Sequence, residues 1–244
     1  MALLIRSLAC TYYDGYRIPP HRHDWAQLIY AASGVMRVAT PDALWIVPPT
    51  RAVWAPAGVA HEIFAKGDFA MRTLYLEPGL AAAMPEHVYA VDVSPLLREL
   101  ILHVVGIGML EAGDPVQARL ASVVADQLAI AGALPLSLPL PSDPRAVRLA
   151  ARLREDPACD LELEALARDA GASARTVQRL FLGETGLRFA EWRQRLRLLH
   201  GASLLGTGAS VTEAGLDAGY AGTSAFVAAF RRQFGVTPAR LRRK

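Results

Sequence analysis

The sequence predicts two domains: an N-terminal all-β barrel or sandwich with covering helices, and a C-terminal all-α domain made of two helix-turn-helix modules. Three observations predict this. First, the last third repeats itself. Ala167, Ala170-Gly171, Val177, Phe181 and Gly186 recur as Gly215, Ala218-Gly219, Phe226, Phe230 and Gly235, offset by 48 and then 49 residues. A repeat of that length marks two copies of one supersecondary unit. Second, the first 90 or so residues read as short apolar runs broken by Gly and Pro. Third, a Pro-rich segment, Leu134-Pro-Leu-Ser-Leu-Pro-Leu-Pro-Ser-Asp-Pro144, separates the two patterns. Prolines block helix and favour an extended spacer.

Taken in order, strands are expected at 27–31, 35–40, 43–47, 52–55, 62–65 and 70–76. Their close spacing favours antiparallel pairing. Helices are expected at 95–110 and 115–131, the second with Leu120, Val123, Val124, Leu128 and Ile130 as an apolar stripe. This gives a barrel over 1–94, a helical cover or dimerisation region over 95–132, a linker over 133–144 and a helical domain over 145–244. In that last domain a helix over 145–155 precedes the first module, which pairs 161–169 with 173–182. Ser173 is a suitable N-cap. A long helix over 189–204 carries Phe189, Trp192, Leu196 and Leu199 on one face. The second module pairs 211–218 with 223–233. In each module a small residue plus Gly lets the turn adopt φ > 0, so that the second helix projects outward.

Composition narrows the function. The chain has 244 residues and a net charge of +3, and 52% of its residues are hydrophobic, a globular value. The charge is uneven. From Asp143 onward there are 17 basic against 11 acidic residues, and the remainder carries 9 against 12. A basic C-terminal half suits a nucleic-acid module joined to something else. Cys10 and Cys159 fall in different domains, so neither a disulfide framework nor a cysteine zinc site is expected. Arg6 interrupts the first apolar stretch, and Arg98, Glu99 and His103 interrupt the longest one. Neither a signal peptide nor a membrane span is expected, which points to the cytoplasm.

The C-terminal pattern is specific enough to name a resemblance. Ser173-Ala-Arg-Thr-Val-Gln-Arg-Leu-Phe181, Glu184-Thr-Gly186, Trp192-Arg-Gln-Arg-Leu-Arg197, Ala218-Gly-Tyr220, Ser224-Ala-Phe226, Ala229-Phe-Arg-Arg-Gln-Phe-Gly235 and Thr237-Pro238 together resemble the DNA-binding domain of the AraC/XylS family of transcription regulators. Ala167, Val177, Phe181, Trp192, Phe226, Phe230 and Phe234 are core positions. The readers lie outside that core. Arg175, Gln178 and Arg179 share one helical face, with Ser173 and Thr176 at its start. Arg pairs with guanine and Gln with adenine through two hydrogen bonds each, and the resemblance implies base contacts at these positions. The second module offers only Thr223, Ser224, Val227 and Ala228, with Arg231 and Arg232 beyond. It therefore specifies less. Those arginines and the Arg242-Arg-Lys244 tail suit phosphates, which position without specifying. The implied partners are double-stranded DNA, a second copy of the chain, RNA polymerase and an effector; no membrane partner is implied.

The N-terminal half holds a second constellation. His21-Arg-His23-Asp-Trp-Ala-Gln27 is followed by Pro56-Ala-Gly-Val-Ala-His61. On a strand, His21 and His23 project to one face, and closure of the barrel brings His61 to them. From Gly15 to Gly34 and from Pro56 to His61 this resembles the cupin pattern, with Gln27 in place of its Glu and Ala65 in place of its usual Asn. The resemblance implies a barrel with a divalent transition metal, such as zinc, nickel or iron, on His21, His23, Gln27 and His61. Imidazoles that hydrogen-bond an organic effector are the other use of this cluster. Trp25, Tyr30, Trp45 and Trp54 are candidate pocket walls. The expected function is a DNA-binding regulator that senses a small molecule or a metal. A metal-dependent dioxygenase or isomerase tethered to DNA is the alternative. It is disfavoured because a neutral Gln neither balances the metal charge nor serves as a base.

Overall fold

Two units divide the chain: Met1–Thr40 with Trp45–Leu136, and Pro41–Leu44 with Ser137–Lys244. The computed structural model describes residues 2–65, 67–131, 133–134 and 137–241. The division falls inside the Pro-rich segment.

The first unit is built from strands β1 (Leu3–Tyr12), β2 (Arg17–His21), β3 (Ala26–Ser33), β4 (Met36–Ala39), β5 (Ala43–Val47), β6 (Arg51–Ala55), β7 (His61–Ala65), β8 (Phe69–Leu76), β9 (Tyr89–Asp92), β10 (Met109–Glu111) and β11 (Ala133–Leu134). Its helices are α1 (Pro78–Ala81), α2 (Pro95–Ile107) and α3 (Pro115–Ile130). A seven-stranded sheet runs β10-β1-β8-β3-β6-β9-β11, and a second sheet contains β5-β4-β7-β2 in that order. The paired strands are antiparallel. All six expected strands form; β1, β2, β9, β10 and β11 were not expected.

One face of the large sheet is covered by α2 and α3. Leu28, Tyr30, Trp54, Leu74, Leu76 and Val91 pack there with Leu97, Ile101, Val104, Ala121, Val124 and Leu128. Side chains alternate along a strand, so Gln27 and Ile29 face the other way from Leu28 and Tyr30. Helix α2 starts where Ser94 accepts a hydrogen bond from the Leu97 amide, with Pro95 in the first turn. It stops at Gly108, whose φ of 96° no ordinary side chain favours. Met109 and Leu110, expected in the helix, instead enter β10 and pair with β1. Asp114 caps α3 in the same manner, with Pro115 next.

The second unit holds a short strand β12 (Ser137–Pro139) and helices α4 (Pro144–Glu155), α5 (Leu163–Asp169), α6 (Ala174–Thr185), α7 (Phe189–Gly206), α8 (Val211–Asp217), α9 (Thr223–Phe234) and α10 (Pro238–Leu241). The duplication is visible in the backbone. Gly171 and Gly219 turn each module with φ of 72° and 77°, and Gly186 and Gly235 close the second helices with 70° and 69°. Ala167, Val177, Phe181, Trp192, Phe226, Phe230 and Phe234 are all buried. Phe226 lies between α7 and α8, where a Cβ on Gly201 would meet its ring at 2.7 Å and one on Gly215 would meet its Cβ at 3.1 Å. The part of the Pro-rich segment beyond residue 136 is anchored. Leu138 is fully buried, Pro139 O accepts from Trp192 Nε1 at 2.6 Å, and the Glu184 carboxylate accepts from the Ser142 and Asp143 amides. Pro135 and Leu136 lie outside the described residues. Among the described residues no helix is long and apolar enough to cross a membrane.

Candidate metal centre and nucleic-acid interface

The His cluster is assembled by a bulge. β2 pairs with β7 through Ile18↔Ile63 and then His21↔His61. Three residues on one strand therefore answer two on the other. The extra residue falls at Pro19-Pro20, which cannot donate to a ladder and so favour a bulge. The bulge sets His21 directly opposite His61. His23 lies past the end of β2, so it reaches the cluster from a loop and not from the shared strand face that the spacing suggested. That loop is held by the Gly58 amide, which donates to His23 O at 2.8 Å. Ring centroids are 4.5 Å apart for His21 and His61, 4.8 Å for His21 and His23, and 5.5 Å for His23 and His61.

Hydrogen bonding fixes which nitrogens face inward. His21 Nδ1 lies 2.8 Å from Pro19 O, and His61 Nδ1 lies 3.0 Å from Val59 O. A carbonyl only accepts, so each Nδ1 carries the proton and each Nε2 keeps its lone pair. His23 Nε2 and His61 Nε2 are buried without a hydrogen-bond partner. Gln27 is oriented by the same logic. Thr73 Oγ1 donates to Leu28 O at 2.8 Å, so it must accept from Gln27 Nε2 at 2.9 Å. Tyr75 OH lies 3.2 Å from that same nitrogen, and its ring meets His23 edge-on at 4.9 Å. Gln27 Oε1 is left buried and unpartnered.

The three histidines offer one ligand atom each, all within 4.8 Å of one another. Nitrogens bound to one tetrahedral zinc at about 2.0–2.1 Å stand about 3.4 Å apart. The imidazoles must therefore draw closer to share one ion. Three neutral imidazoles and an amide oxygen fit a borderline transition metal. Burial lowers the His61 pKa to about 4, opposed by its bond to Val59 O and assisted by His21 and His23. Burial, then His21, lowers that of His23. Burial also raises that of the Tyr75 hydroxyl.

Of the four candidate pocket aromatics, Trp54 lines a cavity of about 410 Å³ with Ala26, Pro56 and Met84. Tyr30 and Trp54 lie in the helix-covered core, where Tyr30 OH donates to Pro49 O and Trp54 Nε1 to Pro85 O. Trp45 is buried on β5, and Trp25 lies under the Arg6 guanidinium at 4.2 Å. Sequence reasoning missed Thr73 and Tyr75. No local signal marks them, because β8 reaches the site only through sheet pairing.

On α6, Arg175, Gln178 and Arg179 are exposed on the face opposite Val177, Leu180 and Phe181. Ser173 Oγ caps the helix by accepting from the Thr176 amide at 3.2 Å and lies 2.9 Å from Thr176 Oγ1. Leu182, 53% exposed, continues the reading face and was missed, although its spacing of three from Arg179 marks it. On α9, Ser224, Ala228 and Arg231 are exposed and Val227 is half-buried. Thr223 Oγ1 bonds back to Thr212 on α8. The Arg242-Arg-Lys244 tail lies outside the described residues.

Residues 8–190 match the family model of an AraC-like ligand binding domain, and residues 166–244 match that of a helix-turn-helix domain. The chain is 35% identical over 230 residues to the HTH-type transcriptional regulator NimR of Escherichia coli (strain K12), spanning 93% of this chain and 83% of that one. It is 43% identical over 100 residues to the HTH-type transcriptional regulator RipA of Corynebacterium glutamicum, spanning 41% of this chain and 30% of that one. A structure of ToxT from Vibrio cholerae aligns over 97% of both chains at 10% identity and a TM-score of 0.41.

The His61 shift makes stability depend on pH. The unfolded imidazole protonates near pH 6.5 and the folded one near 4. Stability supplied by neutral His61 is therefore intact above 6.5 and drains as pH falls from 6.5 towards 4, by on the order of 2–3 kcal/mol. Urea unfolding of metal-free protein across that window is expected to show this loss in the N-terminal unit and a flatter profile in His61→Gln. Parallel profiles would contradict the assignment.

Proposed function

The chain belongs to the AraC family of DNA-binding transcription regulators, and from that premise we propose that its N-terminal ligand-binding domain holds a divalent transition metal (zinc, nickel or iron) as the signal it senses or as the anchor for a small effector. The observation that carries this reading is the convergence of three imidazoles, two of them turned by backbone carbonyls, with His23 Nε2 and His61 Nε2 left unpartnered, as is Oε1 of Gln27, which shares Tyr75 as a neighbour with His23. Burying three polar groups with nothing to bond costs about 1–3 kcal/mol each. A bound cation recovers that cost. Three His and one Gln leave room for a further ligand on a five- or six-coordinate metal, so an oxygen-bearing effector has a place to bind. Tyr75, the hydroxyl beside the cluster, has a raised pKa and is no ready base. The relatives' regulatory roles likewise support sensing over turnover.

The first module supplies most base discrimination. Arg175, Gln178 and Arg179 present long donors where the second module presents Thr, Ser, Val and Ala. Arg231 and Arg232 position the second module on phosphates. A second copy docks on α3, where Val116, Val123 and Ile130 repeat every seven residues at exposures of 64%, 41% and 74%. That spacing is a coiled-coil seam, and Gln127 within it favours one register. Two copies double the recognition helices and leave a face for RNA polymerase.

Three tests follow from these assignments. Arg179→Ala or Gln178→Ala is expected to cost about 1–3 kcal/mol on the best duplex and to relax preference at one or two base pairs; gel-shift competition that leaves discrimination intact would remove α6 as the reader. Elemental analysis of untagged protein should find metal in the wild type and almost none in His21→Ala/His61→Ala, whereas equal contents would remove the metal centre. Sedimentation at micromolar concentration should show dimer for the wild type and monomer for Val123→Glu. A wild-type monomer would remove the seam.

A further inference from the structure

A groove of about 870 Å³ separates the two helix-turn-helix modules. Gln178 and Leu182 of the reading helix form one wall, and Gly219-Tyr220 of the second module's turn forms the other. Helix α7 is the floor. It contributes Arg193, Gln194 and Arg197, with Arg188 at the lip.

The groove carries one more positive charge than negative. Arg193 donates to the carbonyls of Cys159 and Leu161. Arg197 donates to those of Pro157, Ala158 and Cys159 at 3.0, 3.3 and 2.7 Å. Carbonyls satisfy the donors without cancelling the charge. Among the described residues no ion pair involves Arg188, Arg193 or Arg197. Asp160 and Glu162 line the same groove, so it holds three cations against two anions. Burial and then the neighbouring Arg193 lower the Arg197 pKa, opposed by Tyr220, Cys159 and Asp160, and burial raises that of Tyr220, opposed by Gln194, Arg197 and Arg232.

Geometry says what passes over this floor. Recognition helices in successive major-groove segments on one face of a duplex stand about 34 Å apart. Between those segments the backbone crosses the protein with its phosphates, and Gln178, exposed on α6 with Arg175 and Arg179, lines the groove. We propose that the groove between the modules is a phosphodiester seat, in which Arg188, Arg193 and Arg197 of α7 hold the DNA backbone midway between the two half-sites. It is a positioning site. It reads no base, but it fixes the spacing at which both recognition helices engage together. This rests on the duplex-binding reading above.

The test uses full-length protein and a duplex that the wild type selects from a random library. Association constants are measured against salt for wild type, Arg188→Gln, Arg197→Gln and Arg197→Lys. Each neutralised phosphate contact contributes about 0.9 to the slope of log K on log salt. Both Gln variants should lose about one unit of slope with unchanged base preference, and Arg197→Lys should retain it. Because Arg197 also clamps the 157–161 loop, the exposed Arg188 provides the variant free of that role. A single methylphosphonate midway between the half-sites should weaken the wild type and leave Arg197→Gln nearly unaffected. Wild-type slopes in both Gln variants would overturn the proposal while leaving duplex binding standing. Inorganic phosphate at constant ionic strength that stabilises the wild type but not Arg197→Gln, with slopes unchanged, would assign the seat to a free anion and overturn it too. A wild type that selects no duplex would remove the DNA-binding reading itself.

Discussion

The orientation of the histidine cluster depends on two hydrogen bonds from imidazole to backbone, His21 Nδ1 to Pro19 O and His61 Nδ1 to Val59 O. Each spans only two residues, so the local chain that presents the histidine also sets its tautomer. At His21 the acceptor lies in the bulge that Pro19-Pro20 forces. At His61 it lies in the 56–59 turn, whose Gly58 also holds the His23 loop. Both Nε2 lone pairs are thereby committed before any ligand arrives. This is the outer-shell arrangement that orients metal ligands and spares the cost of ordering them on binding. Gln27 extends it across the sheet, because Thr73 spends its proton on Leu28 O and leaves Gln27 one allowed orientation.

The C-terminal unit solves a different problem, which is to make two similar modules act at fixed geometry. The repeated left-handed glycines make the modules alike in backbone. Phe226 pressed onto bare Gly201 and Gly215 locks the second module to α7. Phe181, stacked edge-on with Phe189 and Trp192 at 5.2 and 5.0 Å, does so for the first. The modules then differ in their exposed side chains, so one backbone plan presents long donors on α6 and mostly short side chains on the matching face of α9. Arg193 and Arg197 of α7 pin the 157–161 loop through its backbone carbonyls.

Much of this was legible in the sequence because its causes are local. The cap Ser173, the glycines at 171 and 219, and the spacing of His21, His23 and His61 are read within a few residues of where they act. The causes that are not local were not legible. β2 was missed because two prolines in five residues argue against a strand, yet those prolines build the bulge that matters. β1 was missed because its polar and half-exposed positions hide the alternation, and β9 to β11 are too short to carry a pattern. Size and aromaticity mark Tyr30 and Trp54 as candidate pocket walls. Strand parity turns both to the helix layer, where Trp54 lines a cavity with Ala26, Pro56 and Met84, and parity is fixed only once Gln27 is known to face the other way. Thr73 and Tyr75 come from 46 and 48 residues beyond Gln27.

A metal can act as a signal only if it binds the DNA-competent and incompetent arrangements with different affinity, and such coupling is reciprocal. The most direct measurement is therefore the full linkage cycle on the intact protein: duplex affinity with and without saturating metal, and metal affinity with and without duplex. The same factor is expected from both arms, roughly fivefold or more, and it should disappear in His21→Ala/His61→Ala. Tight metal binding with a factor of one in both arms would contradict it, leaving a metal that holds the domain together without informing the DNA.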